Sequence, residues 1–412
     1  MDKKNPKRLS SLFSIFLTFA VDNLGATIVF PIYSPLFLNP AYQLFPLNFS
    51  DFQRSLILGV FFSIFPLLQL IFAPFFGDFS DHKGRKKTLL FTTTITFFGY
   101  LISALGVYYR NIYMIFFARV LMGFGSANMT ICMSSISDLS TDNKEKLRFY
   151  SIGSSIAGMT FIVGPYIGGK LSSPSLSPFL GESFPLFLGA TLALINVLFI
   201  VFLFKETLLT LLVKEIDPIK SLRTIKEVLS EASTRFLFII YFFFLFSWNI
   251  IFLFLPALLY KQFLFSNAEI GDVCALLGCF WILGTSLINK VANMFFESKT
   301  ILRGALAFFS IAIFSLLFFK SLATFLVILC LCAVCAGLSW PICTSLISLT
   351  VKKSSQGTAM GLSQSALSLT LVVVSVMGGL FLSSYPSAIY TIAFLFSFLA
   401  VIFLLRLKRS FT

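Results

Sequence analysis

Apolar stretches of about twenty residues recur along the whole chain, and no other feature of the sequence restricts the fold so strongly. About twenty residues is the length at which a helix crosses the hydrocarbon core of a bilayer. Lipid offers no partner to backbone N–H and C=O groups, so each spanning segment must close its own hydrogen bonds as a helix. A β-barrel would show alternating segments of about ten residues, and the sequence has none. Charged residues make up 12% of the chain, against about 25% in soluble domains. The sequence therefore predicts an all-α, polytopic membrane protein in contact with a lipid bilayer.

Twelve spans are expected. They cover 10–34, 55–76, 88–108, 112–136, 149–171 and 185–204, then 236–260, 270–290, 300–319, 322–350, 357–382 and 386–407. The expected organisation is a six-helix bundle over 1–204, a linker over 205–235 and a second six-helix bundle over 236–412. In the linker, Ile219, Leu222, Ile225, Val228 and Leu229 recur at helical spacing, which predicts an amphipathic helix on the membrane surface. The N-terminus is basic like a signal peptide. The apolar run from Leu9 to Tyr33 is too long for one and carries Asp22, so it is read as a retained first span.

Charge placement sets the expected orientation. With both termini cytoplasmic, the inner segments hold 25 Lys and Arg residues. The outer segments hold five, and Arg119 lies inside the fourth span. This spread explains the net charge of +14 without a nucleic-acid partner. Cys330, Cys332 and Cys335 have a spacing that resembles a metal motif. They sit in an apolar span without a nearby His or carboxylate and read as small filler, so neither metal nor cofactor is expected. No P-loop, H-E-x-x-H or G-x-S-x-G motif is present, which argues against an ATP-driven pump or a membrane enzyme.

The densest charge cluster lies between the second and third spans, in Gly77–Leu90: Asp78, Asp81, His82, Lys83, Arg85, Lys86 and Lys87. It reads as a short charged loop. A shift of 212 residues lays it on Asn289–Leu302, and a shift of 210 lays Gly168-Gly169 on Gly378-Gly379. Both offsets suggest a duplicated half.

Gly77, Ser80, Asp81, Gly84, Arg85 and Lys86 resemble the G-x-x-x-D-R-x-G-R-[RK] signature of the major facilitator superfamily, with His82 where arginine is usual. Arg119-x-x-x-Gly123-x-Gly125 resembles its fourth-span signature. Gly158 and Gly164-Pro165-Tyr166-Ile167-Gly168-Gly169 resemble the antiporter signature of the fifth span. Asp22-Asn23-x-Gly25 with Pro31, and Lys205-Glu206-Thr207, resemble the drug:proton antiporter-1 group, which includes the tetracycline exporters. The resemblance implies the major facilitator fold, two six-helix bundles related by pseudo-two-fold symmetry. It also implies a monomer in a bacterial inner membrane that exchanges protons for a small lipophilic compound.

An aspartate inside an apolar helix is costly and marks a functional candidate. Arg119 cannot lose its charge, and the resemblance places it within reach of the first span. An Asp22–Arg119 proton switch is therefore expected, with a purely structural pair as the plainer alternative. The resemblance also places Asp81 at the start of the eleventh span as a cytoplasmic latch. It places Arg85 against Asp138, with Glu145 as a second partner; simple anchoring by the basic residues is the alternative. Gly164 and Gly168 share a helix face that admits close packing, and by resemblance gate against the eleventh span. Asn23, Asn128, Trp248, Asn249 and Gln364 could line a substrate cavity, or serve one by one as interhelical hydrogen-bonding groups. An importing symporter or uniporter, and a non-transporting sensor or assembly factor, are the rival functions.

Overall fold

The computed structural model describes residues 6–173, 179–208, 229–318, 321–351, 356–383 and 386–406, and among these it is helical without strands. The chain runs α1 (Pro6–Ile28), α2 (Phe30–Leu38), α3 (Asp51–Lys83), α4 (Arg85–Tyr108), α5 (Ile112–Phe124), α6 (Asn128–Leu139), α7 (Asn143–Leu171) and α8 (Phe184–Phe202). It continues with α9 (Ala232–Phe263), α10 (Asn267–Leu283), a π turn at Gly284–Ile288, α11 (Asn289–Phe295), α12 (Ser298–Ser315), α13 (Leu322–Thr350), α14 (Gln356–Phe381) and α15 (Pro386–Arg406). Most of the linker, with its expected amphipathic helix, lies outside the described residues.

Eleven helical spans among the described residues are long and apolar enough to cross a membrane. The remaining expected span is α7, which is 29 residues long but rich in Gly, Ser and Thr. Several spans are broken where the sequence suggested one rod. The first breaks at Val29, where Pro31 opens α2, a position that needs no N–H. The fourth breaks at Gly125–Ala127, between α5 and α6. The α3–α4 junction departs from expectation in the opposite sense. Residues Gly77 to Lys83 are the last turns of α3, and Gly84 alone separates it from α4. The charged segment is thus a helical corner and not a loop. A shift of 212 places Gly84 on Phe296, the C-cap of α11, with Glu297 between it and the start of α12.

The chain divides into two compact units: Met1–Glu215 with Leu264–Ala275, and Ile216–Phe263 with Leu276–Thr412. In the first, α1 packs on α6, α7 and α8, and α4 packs on α5 and α8. Leu12, Ile15 and Phe19 of α1 meet Phe76, Leu89, Ile131, Ile136 and Ile200 in its core. In the second, α9 packs on α13, α14 and α15, and Phe246 stacks on Phe396 at 3.8 Å. Buried hydroxyls tie these helices: Ser247 Oγ donates to the Ala393 carbonyl at 2.6 Å, and Ser397 Oγ to Ser310 Oγ at 3.1 Å.

Candidate functional site

The break between α5 and α6 places Asn128 at the start of α6, pointing at α1. Gly125 is needed in this turn because a Cβ there would lie 2.9 Å from the Thr92 carbonyl of α4. Asn128 Nδ2 donates to Asp22 Oδ1 at 3.1 Å. Its Oδ1 accepts from Thr92 Oγ1 at 2.5 Å and Thr93 Oγ1 at 3.4 Å, which turns the amide donor toward the aspartate. Asp22 is half-buried and borders a shallow recess lined by Thr18, Phe19, Met129 and Cys132.

Arg119 does not join Asp22, contrary to expectation. It is 9% exposed and lies between two rings of α3, with its guanidinium carbon 5.2 Å from the Phe61 centroid and 5.0 Å from that of Phe65. Among the described residues no acidic group pairs with it, and its Nε has no hydrogen-bond acceptor. The reason is local. Arg119 belongs to α5, whose close crossing with α3 at Gly123 and Leu68 turns it to the aromatic face. Beyond the break, Asn128 takes the place beside Asp22 that the arginine was expected to fill.

At the charged corner, Arg85 is buried and gathers the acids. Its Nε donates to Asp138 Oδ2 at 3.0 Å, and one terminal nitrogen contacts Asp81 Oδ1 and Ser80 Oγ, each at 2.5 Å. Thr207 Oγ1 reaches the same Asp138 oxygen at 3.3 Å. Gly77 allows α3 to approach α6, since a Cβ there would meet Thr130 at 3.2 Å. His82 Nδ1 lies 3.0 Å from the Asp78 carbonyl within its own helix. Glu145 is not an Arg85 partner. It pairs with Arg8 at 2.5 Å, and the Arg8 bond, aided by the Thr141 amide, pulls its carboxyl down to about 2.

Sequence reasoning missed the role of Glu206. Its Oε1 accepts the Arg85 N–H at 2.9 Å, and its Oε2 accepts the Lys86 N–H at 3.1 Å. The N–H groups of Thr207 and Leu208 add bonds of 3.0 and 3.1 Å. A carboxylate at a helix N-terminus satisfies orphan amides and complements the helix dipole. The signal was the Lys205-Glu206-Thr207 match, but nothing in it indicates a partner 121 residues away.

The α7 glycines pack where side chains could not. A Cβ at Gly164 would collide with Thr27, and one at Gly168 with the Ile28 carbonyl. Thr27 Oγ1 donates to the Thr160 carbonyl at 2.9 Å across the same seam. Gly169 faces Gly271, where a Cβ would lie 3.0 Å from the partner Cα. Lys170 pairs with Asp272 at 2.8 Å beside them. Pro165 lies inside α7, and Gly158 is buried there.

The remaining cavity candidates are defined by their local surroundings. Asn23 Nδ2 bonds the Phe19 carbonyl of its own helix at 2.8 Å. Trp248 stacks on Phe252, with ring centroids 5.5 Å apart. Asn249 is buried with its Nδ2 unbonded, and Gln364 is exposed on α14. Cys330 and Cys332 are buried in α13, and no group of metal-ligating residues occurs among the described residues.

A family model described as the Major Facilitator Superfamily matches residues 15–235 and 237–411. The chain is 26% identical over 375 residues to the class H tetracycline resistance protein of Pasteurella multocida, an alignment covering 88% of this chain and 86% of that one. It is 30% identical over 152 residues to multidrug resistance protein 2 of Bacillus subtilis (strain 168), covering 37% of this chain and 36% of the relative. The crystal structure of a D-xylose-proton symporter is 16% identical and superposes with a TM-score of 0.77, over 96% of this chain and 97% of that one.

Proposed function

Because the chain belongs to the major facilitator superfamily, whose members are transporters and not enzymes, we propose that it is a proton-coupled antiporter that exports a small lipophilic compound. One observation carries this reading: a half-buried carboxylate in the second half of α1 bonds to a neutral amide and, among the described residues, to no cation. A carboxylate so placed can take up and release a proton without breaking an ion pair. The likeness to tetracycline and multidrug resistance proteins supports a drug-like cargo. Transport proceeds by alternating access around a midplane site, as in other two-half transporters.

The remaining parts follow from this reading. The Lys and Arg distribution supports cytoplasmic termini in a bacterial inner membrane. The Asp81–Arg85–Asp138 cluster then lies on the cytoplasmic side as the latch, held in place by Glu206. The α7 glycines form the close seam along which α7 moves against α1. The test is uptake of tetracycline and ethidium into inside-out proteoliposomes under an imposed pH gradient. Asp22→Asn should abolish gradient-driven accumulation and spare gradient-independent exchange. Full gradient-driven transport by this variant overturns the reading. Accumulation in the opposite sense would indicate an importing symporter.

A further inference from the structure

Arg119 poses a question that the proton reading leaves open: among the described residues, a permanent cation is buried in an apolar bundle without an anion. Taking a guanidinium from water costs several kcal/mol unless charge or hydrogen bonds compensate. Among the described residues the compensation comes from two ring faces, Phe61 and Phe65. Such contacts hold the cation but leave its N–H donors unused, and Nε faces no acceptor. The titratable groups near enough to feel its charge are Tyr33 and Tyr100, both phenols, and no carboxylate faces it from α2, α3 or α4. Tyr33 is itself engaged with Ser103 at 2.5 Å and packs edge-on to Phe61 at 4.7 Å. Asp22 is held by an amide that Thr92 and Thr93 anchor in turn. Phe61 is buried and Phe65 is half-buried.

We propose that Arg119, flanked by Phe61 and Phe65, binds an anionic oxygen group of the transported compound: a carboxylate, enolate or phenolate on an aromatic, lipophilic frame. This rests on the transporter reading above and gives its cargo a chemical class. The guanidinium fork matches such a group bidentately, and the two phenylalanines supply the apolar walls. Division of labour follows, with Asp22 carrying the proton and Arg119 the cargo's charge.

The test uses the full-length protein in nanodiscs and two fluorescent probes, 1-pyrenebutyrate and the neutral 1-pyrenebutanol, read by anisotropy. Wild type should bind the anion about tenfold or more tightly than the alcohol, the range of a charged hydrogen bond. Arg119→Gln should erase that preference and leave the alcohol's affinity unchanged. Arg119→Lys, which keeps the charge and loses the fork, should retain part of it and serves if the glutamine variant misfolds. Asp22→Asn should keep the full preference. Equal binding of both probes by wild type, no binding of either, or equal weakening of both in the Arg119 variants overturns the proposal. So does loss of the preference in Asp22→Asn, which would mean that Arg119 acts through the aspartate. An intact anion preference beside gradient-independent transport would sink the antiport reading alone.

Discussion

Replacing Gly84 by alanine probes how tightly the charged corner is built, and its cost can be worked from two separate terms. Gly84 has φ +97° and ψ +147°, a conformation that side chains rarely adopt. Imposing it on alanine costs about 1–3 kcal/mol. The new Cβ would also lie 2.6 Å from Glu206 Oε2, the far end of a flexible side chain. The carboxylate can swing away, but it then releases the Arg85 and Lys86 amides. Losing a helix N-cap costs about 1 kcal/mol, so Gly84→Ala should destabilise by about 2–4 kcal/mol in all. Glu206→Ala alone should cost about 1 kcal/mol. In the double variant the alanine meets no carboxylate, so the cap is lost once and not twice. The two changes should therefore be sub-additive by about 1 kcal/mol. Denaturant unfolding of the four purified proteins in one detergent measures the cycle. Strict additivity, or a Gly84→Ala protein as stable as wild type, refutes the reasoning.

Other consequences can be checked in the same way. Gly164→Ala and Gly168→Ala should each destabilise by about 2 kcal/mol or more, because the seam neighbours include the Ile28 backbone. Gly361→Ala, where a Cβ would meet no neighbour outside its own turn within 4 Å, should instead stabilise by up to about 1 kcal/mol by the same melts. Glu145 is held near 2 against an ordinary value of 4.5. Its stabilisation is therefore complete above the ordinary value and fades as pH falls from there toward 2. Glu145→Gln should lower the melting temperature at pH 7, by an amount equivalent to no more than about 1 kcal/mol, and make no difference near pH 2.

The spans were legible because lipid imposes one rule on length and backbone pairing, and that rule is written in composition. Their internal breaks were not. Gly125 and Pro31 are visible as residues, but whether each kinks or ends a helix depends on what packs beside it. That uncertainty decided the candidate site. The break between α5 and α6 presents Asn128 to Asp22, while Arg119, before the break, packs on Phe61 and Phe65 of α3. The Arg85–Asp138 contact was foreseen through family resemblance, since the two residues are 53 positions apart. Glu206 escaped notice because a carboxylate after an apolar helix reads as solvated until the partner backbone is seen. The fifth span was expected as an apolar run, and the glycines that resemble the antiporter signature are the residues that lower its apolar character.

The single-residue joint at Gly84 also fixes phase. A helix turns about 100° per residue, and α4 starts immediately after the joint, with its Thr88, Thr92 and Thr96 set by that origin. One residue inserted or deleted at the corner would rotate the whole helix by that angle and carry the Thr92 hydroxyl off Asn128, leaving Asp22 beside an unanchored amide. The connection between α2 and α3, twelve residues long, has slack to absorb such a change. The corner acts as a keyed shaft, in which the length of a connection near one end of the bundle sets the rotational register of a hydroxyl about two turns into α4.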